Sequence, residues 1–490
     1  MQRQTSIAFE GIDSNTPWNE KLSAKYTKQI FQNILSRSFA YYTISSRLPV
    51  ILTKVINDLV TSKGKILQDS SKEGEEDLKC VIGKISKLKN EVVTNKPLIK
   101  FESNKGDLEV WNKYLDSETI SKTDVPCWYY SPWLYVENYM YRRLWEIFEN
   151  SQTLQNFDPF AIKKEEAFYA SLPDMKSISQ SVIQLLKIPD LPSNQNLQDT
   201  FNLFLKLSLW SNRCDLSLSD VNQLSTEEST MHKLNAYDEF ILSNDSPKIY
   251  EYFNQSSKNG IIDFVTDNSS YEIFSDFCFC DFLCTSSLAS KIKFHVKHLP
   301  WYVSDTTKGD IKWLLDRMDK EGLSNLSDRW KKYLEDGTWC ILDENYWTLP
   351  FDFNVMKVED KELYNSLCES KLVIFKGDLN YRKLLSDINW DPCESFQTVL
   401  RDFKPTSVLS LRTVKADLIC GLPVGKYEEI TQKNKMWMRT GEYASLFLYG
   451  ILIAHSETNF SVIKFSKWTS KLVFTGSCCE MQKPHCLYQV

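Results

Sequence analysis

Four short stretches carry residues whose types and spacing can do chemistry. Asp267-Asn268 follow the apolar run IIDFVT, and Asp305 closes the segment WYVSD a few residues after KIKFHV. Asp378-Leu379-Asn380-Tyr381-Arg382 follow KLVIFKG, and Arg412-Thr413-Val414-Lys415 follow SVLSL. Carboxylate and amide oxygens are hard donors, which suit magnesium, manganese or a similar divalent ion. Arg and Lys beside such an ion are what a bound phosphate needs. The chemistry open to this set is metal-assisted phosphoryl transfer. Taken singly, each position is equally well read as an ordinary loop or cap residue; four together favour a site.

Those stretches need elements to position them. After residue 230, β-rich runs alternate with helical ones. GIIDFVTDN, KIKFHV, GTWCILDEN, KLVIFKGDLN and TSVLSLRTVKAD are predicted strands with the turns that follow them. SSYEIFSDFCFCDFL and TTKGDIKWLLDRM are predicted helices, the second opening on a Thr307/Asp310 capping box and showing an apolar face of Ile311, Leu314, Leu315 and Met318. Alternation of β and α predicts an open, largely parallel sheet covered by helices. Ligands in such sheets bind outside the carboxyl ends of the strands, which is where all four stretches fall.

The first half reads as helices. Leu48, Leu52, Val55, Ile56 and Leu59 have helical spacing, with Pro49 near the start. Pro132 opens the strong helix WLYVENYMYRRLWEIF, and Ile178, Val182, Leu185 and Leu186 form an apolar face before Pro189. DSSKEGEED (69–77) reads as a charged loop and LPSNQN (191–196) as a turn.

Composition bounds the rest. The 490 residues include 58 Lys and Arg against 64 Asp and Glu, a net charge of −6, which disfavours a dedicated nucleic-acid binder. The apolar fraction of 42% is that of a globular protein with a rich core. The polar start lacks a signal-peptide apolar stretch, and the longest apolar run, 443–454, falls short of the roughly 20 residues that span a bilayer. We therefore expect reduced cysteines, no membrane partner, no nucleic-acid partner, and a cytoplasmic location with the nucleus left open.

FKGDLNYRKLLSDINW and SLRTVKADL, with RLPVILTKVI, PWLYVENYMYRRL, LWSNRCDLSLS and the DNSSYE to FHVKHLPWYVSD span, resemble the damage-control phosphatase family. The likeness is to its eukaryotic Arg-Thr-x-Lys subfamily, also named acidic residue methyltransferase, and covers residues 21–441. It implies a helical N-terminal domain (1–225) packed on a Rossmann-like α/β/α domain (226–455), with a divergent tail at 456–490. It implies a metal-dependent phosphatase of small sugar phosphates such as fructose 1-phosphate and fructose 6-phosphate. By position, Asp267, Asn268 and Asp305 match the family's metal ligands, with Asp267 and Asn268 also touching substrate. Asp378, Leu379, Asn380, Tyr381 and Arg382 match its substrate loop, and Lys415 its phosphate-binding lysine. The expected cofactor is manganese, with cobalt, nickel or magnesium compatible with the same ligands. The catalytic set is then Asp267, Asp305 and Lys415; the nucleophile is either a water or the Asp267 carboxylate. Glu272 and Asp305 match positions tied to S-adenosylmethionine in the alternative activity, methyl esterification of protein glutamates. A second alternative is an inactive interaction scaffold, motivated by Ser269-Ser270, which stand where the family usually has Ala-Gly, and by the unusual terminus.

Other signals are weaker. Glu137, Arg142, Asn212 and Asp215 could close the site from the helical half, but a surface or capping role is the stronger expectation. Cys278, Cys280 and Cys284 lack zinc-type spacing and read as buried thiols. Cys478, Cys479, His485 and Cys486 read as part of a tail without a metal. His295 and His298 read as structural, and Ser304 with His295 is too little for a hydrolase triad. The aromatic stretch at 127–141 lacks the basic density of a nucleic-acid surface.

Overall fold

A computed structural model of the chain describes residues 39–67, 72–103, 106–117, 125–186, 194–214, 232–255 and 260–450. The expectations for Asp215, for the Cys and His of the tail and for residues 69–71 and 191–193 lie outside them. Seven strands form one sheet: β1 (Ile241–Asn244), β2 (Ile261–Val265), β3 (Lys291–His295), β4 (Trp339–Leu342), β5 (Leu372–Lys376), β6 (Ser407–Thr413) and β7 (Ala444–Tyr449). Their order is β1-β7-β6-β5-β2-β3-β4. Every pairing is parallel except β6 with β7. The α/β class and the largely parallel sheet expected from the alternation are what the structure has. β1 and the strand role of β7 go beyond the sequence pattern: β1 is only four residues long, and the apolar run at 443–454, which reads as core, contains β7.

The helices that matter to the site are α1 (Leu48–Thr61), α2 (Lys72–Val93), α3 (Trp133–Glu149), α4 (Ala161–Leu186), α5 (Asn194–Cys214), α6 (Tyr271–Thr285), α7 (Lys308–Lys320) and α8 (Gly377–Leu384). Pro49 lies in the first turn of α1 and Pro132 immediately precedes α3, where a missing N–H does no harm. Thr307 and Asp310 make both bonds of the capping box at the start of α7. Two expectations fail here, the first being the turn at 191–196, whose residues 194–196 already belong to α5. Residues 72–77, read as part of a charged loop, begin α2, because Leu78, Val81, Ile85, Leu88 and Val92 give that segment a buried apolar face.

Alternation along the strands shows why helices cover both faces. In β5, Leu372 and Ile374 join a cluster with Phe204 of α5, Phe282 of α6 and Leu314 of α7. Val373 and Phe375 join a second cluster with Leu52 of α1, Ile85 of α2 and Tyr139 of α3. β2 divides in the same way, Ile262 and Phe264 to one cluster and Val265 to the other. Both β5 and β6 are buried along their whole length, as central parallel strands require. On the α5 side, Phe204 stacks on Phe282 with centroids 4.8 Å apart.

β2, β3 and β5 end level, with Val265 opposite both His295 and Phe375. The chain leaves β2 toward β3 on one side, while β5 lies on the other. That is a topological switch point, where an α/β sheet opens a crevice.

His295, at the end of β3, is buried between Asp263 (2.9 Å) and Glu344 (3.0 Å). Burial opposes its charge, but the two carboxylates prevail and raise its pKa to about 9. The folded value lies above the unfolded value of about 6.5. The stabilisation is therefore complete below that pH and is lost as pH rises through 9. His295→Gln should destabilise the protein by about 3 kcal/mol near pH 6, with the deficit shrinking toward pH 9.5 in denaturant titrations. A deficit independent of pH would show that His295 is neutral in the fold.

Candidate active site

The loops after β2 and β3 are stitched to each other by backbone bonds. Ser269 N–H donates to Ser304 O (2.7 Å) and Thr306 N–H donates to Asp267 O (2.8 Å). These bonds form an antiparallel bridge that sets Asn268 opposite Asp305. The three residues expected to hold a metal thus share one cavity wall. The cavity holds about 740 Å³, and Glu272, Asp378, Leu379, Arg382 and Lys415 also line it.

Its floor is a ring of amides and carboxylates. Asn212 Nδ2 donates to Asp267 Oδ2 (3.2 Å) and Glu272 Oε2 (2.8 Å). Asn268 Nδ2 donates to the same two oxygens, at 2.9 and 2.7 Å. Asn268 Oδ1 accepts from the Ser304 hydroxyl at 2.5 Å. Beneath the floor, buried Lys376 pairs with Glu272 (3.2 Å) and Asp276 (3.0 Å). Lys297, also buried, lies 3.5 Å from Asp305 Oδ2, an oxygen with no hydrogen-bond partner.

The electrostatics follow from this crowding. Burial, then repulsion from Glu272 and Asp305, pushes the Asp267 carboxyl well above its ordinary range. Burial raises Asp305 to about 6, against the pull of Lys297 and Lys164. The protein's own cations leave these oxygens under-neutralised. Among the described residues, no group of three or more His, Cys, Asp or Glu is disposed to hold an ion. The donor set reaches three through an amide, Asp267, Asn268 and Asp305. Hard oxygens with an orphaned buried carboxylate oxygen fit a magnesium- or manganese-type ion that keeps positions for water or substrate.

Lys415 reaches the cavity because its neighbour anchors the loop. Arg412 is buried against the Tyr381 ring (4.0 Å), pairs with Asp378 (2.8 Å) and donates to the carbonyls of Leu418 (2.7 Å) and Ala416 (3.1 Å). Asp378 Oδ1 also accepts from Lys415 N–H (3.2 Å). In the Arg-Thr-x-Lys segment the arginine builds the loop and the lysine faces the space. Lys415 Nζ donates to Asn212 Oδ1 and has no carboxylate partner among the described residues.

The expected substrate loop is only partly in the cavity. Asn380 is turned inward, donating to Thr266 O (3.1 Å) and Lys376 O (2.8 Å), and Tyr381 is buried under Arg412 and against Cys420. Neither lines the cavity; both brace α8. Arg382 does line it, but its guanidinium is held by Asp387 (2.8 Å) and Glu137 and lies 3.7 Å over Trp133. Glu272, implied as a cofactor ligand, is committed to Lys376 and the two amides. Glu137 and Asn212 do reach the site, against the stronger expectation, whereas Arg142 pairs with Asp107 (2.5 Å) and Glu149 (2.9 Å) away from it. Ser304 bonds Asn268, not His295. Cys278 and Cys280 are buried and Cys284 is partly so.

Several contributors had no signal of their own in the sequence. Lys376 reads as a strand residue and Lys297 as part of the segment that follows a strand. Gly377 begins α8 at φ +84°, and a Cβ there would fall 1.9 Å from Asp267 Oδ2. Only glycine lets the Asp267 carboxylate lie against that turn. The loop carrying Asp305 is strained: Tyr302 and Val303 have φ of 41° and 73°, uncommon for any side chain and least tolerated by a β-branched one.

A family model described as "damage-control phosphatase ARMT1-like domain" matches residues 43–430. Curated relatives named "damage-control phosphatase ARMT1" agree with it. The mouse protein is 38% identical over 426 residues, 85% of this chain and 97% of that one. The human protein is 37% identical over 425 residues (84% and 96%), and the zebrafish protein 36% identical over 419 residues (83% and 94%). A solved structure of a DUF89 family protein from Pyrococcus horikoshii matches at a TM-score of 0.37 and 14% identity, covering 76% of this chain and 95% of that one.

Ser270, where the resemblance leads one to expect glycine, has φ 58° and ψ −119°, a conformation suited to glycine. Its hydroxyl offsets part of that strain by donating to Lys164 O (2.9 Å) on α4. Ser270→Ala keeps the strain and loses the bond, and should lower stability by about 1 kcal/mol. Ser270→Gly loses the bond but relieves the strain, and should be about 1–2 kcal/mol more stable than the alanine variant in denaturant unfolding. The reverse order would show that the turn is unstrained.

Proposed function

The chain belongs to the damage-control phosphatase ARMT1-like family and is a phosphatase, and from that premise we propose that it hydrolyses small sugar phosphates in the cavity at the ends of β2, β3, β5 and β6. The observation that carries this reading is the pairing of an under-neutralised carboxylate cluster with a lysine that no carboxylate claims. Asp267, Asn268 and Asp305 would hold a divalent ion, manganese foremost. Bound there, such an ion supplies Lewis-acid polarisation of the phosphoryl group.

The chain's own residues do the rest. Lys415 binds a phosphoryl oxygen and offsets the charge that builds on it. Asp378 and Arg412 fix the loop so that this ammonium enters the space. Arg382 orders the wall through Glu137 and Asp387 and does not take the phosphate directly. Tyr302, backed by Tyr141 in a stack at 4.6 Å, gives the cavity an aromatic side on which the C–H face of a sugar can lie. These rings also reduce the water around the reacting group, which strengthens the Lys415 contribution.

Phosphate release from fructose 1-phosphate should stop with EDTA and return with added manganese. Asp267→Ala should lower kcat/KM at least ~10²–10³-fold, and Lys415→Met by a similar factor, with thermal unfolding of both variants near the wild type. Asp267→Ala removes a mutually repelling carboxylate, so its fold should not suffer. Unchanged turnover in that variant would sink the assignment of Asp267.

A further inference from the structure

Asn212 stands between the cation and the carboxylates of the site. It lies near the end of α5, 55 residues before Asp267 and 203 before Lys415. Both amide protons are used, one on Asp267 Oδ2 (3.2 Å) and one on Glu272 Oε2 (2.8 Å). The amide oxygen accepts from Lys415 Nζ. The chemistry dictates this orientation, since a flipped amide would set its NH₂ against an ammonium and its oxygen against two carboxylates.

We propose that Asn212 is a positioning residue that insulates Lys415 from Asp267, keeping the ammonium free for phosphate and the carboxylate free for a metal ion. The inference rests on the reading of Asp267, Asn268 and Asp305 as ligands of a divalent ion. A lysine beside a crowd of buried carboxylates has an obvious partner in Asp267, and a direct ion pair there would occupy both groups at once. A neutral amide prevents that: it satisfies the lysine through a carbonyl oxygen and the carboxylates through N–H groups, and it transfers no net charge to either. Aspartate at the same place would claim Lys415 and add a further negative charge. Alanine would leave Lys415 to collapse onto Asp267. Asn268 donates to the same two carboxylates, but among the described residues only Asn212 also accepts from the lysine.

The test is Mn²⁺ affinity, read by electron paramagnetic resonance without substrate. Asn212→Ala should bind Mn²⁺ roughly 10–100-fold more weakly than wild type, because Lys415 then competes for Asp267. Adding Lys415→Met to that variant removes the competitor and should restore the affinity to within about threefold of wild type. Lys415→Met alone should bind Mn²⁺ at least as tightly as wild type. A role confined to packing predicts no such rescue, so weakened binding that persists in the double variant overturns the inference. Unaltered Mn²⁺ affinity in Asn212→Ala overturns it as well, while leaving the metal reading intact. A wild-type protein that binds no Mn²⁺ overturns the metal reading and this inference with it. Should Asn212→Ala not fold, Asn212→Gln, which displaces the amide by one methylene, is judged by the same two comparisons.

Discussion

Three carboxylates, those of Asp267, Glu272 and Asp305, are buried along one wall of one cavity, and much of the surrounding structure accommodates that burial. A buried carboxylate is tolerated only when it is paired, hydrogen-bonded or protonated. Each of the three has a different arrangement. Glu272 shares Lys376 with Asp276 and accepts from the amides of Asn212 and Asn268. Asp305 has Lys297 at the margin of ion pairing. Asp267 has two neutral amides and lies well above its ordinary pKa range. All three line the same cavity, and among the described residues Asp267 alone of the three has no lysine in an ion pair.

The demand for convergence explains the distortions around the site. Two loops that leave neighbouring strands must run antiparallel for a few residues to bring Asn268 opposite Asp305. The chain meets that demand with left-handed backbone at Ser270, Tyr302 and Val303. Packing elsewhere makes the distortion affordable. Tyr302 lies stacked on Tyr141 of α3 and donates to Glu137 (3.3 Å), while Ser270 is tied to the start of α4. Helices from the first half of the chain therefore hold the strained loops in place as well as covering the sheet.

Periodic features could be read without the structure. The strands at 261–265, 291–295 and 372–376 follow from β-branched and aromatic runs ended by polar turns, and α7 from its capping box. The class of fold and the strand ends that carry Asp267, Asn268, Asp305 and Lys415 came with them. What could not be read depends on partners far away in sequence. Arg382 read as a phosphate contact, although its guanidinium is held by Asp387, five residues on, and by Glu137, 245 residues earlier. Asn212 had no local feature to distinguish it from a helix-surface amide. Lys376 and Lys297 lie among strand and loop residues, where the pattern gives no reason to bury a lysine. Gly377 carries a requirement set by a carboxylate in the loop after another strand. Strand pairing brings these residues together, and pairing is a property of the whole chain.

The sheet order has a bearing on how the protein is made. β1, emerging first, has its neighbour in β7, which lies between it and β6. From residue 241 to residue 444 the ribosome adds about 200 residues, roughly 10–40 s at about 5–20 residues per second. Once β6 has been made, one of its edges stays without its antiparallel partner until β7 follows, and the Lys415 loop, whose Val414 donates to Tyr443 O (2.8 Å), lacks its support. A nascent chain can pair β2, β3, β4 and β5 and gather the acidic loops well before its last described strand is synthesised. The carboxylate half of the site is thus made early and the lysine half late, so truncated translation products would bring the carboxylates together without the lysine loop fully seated.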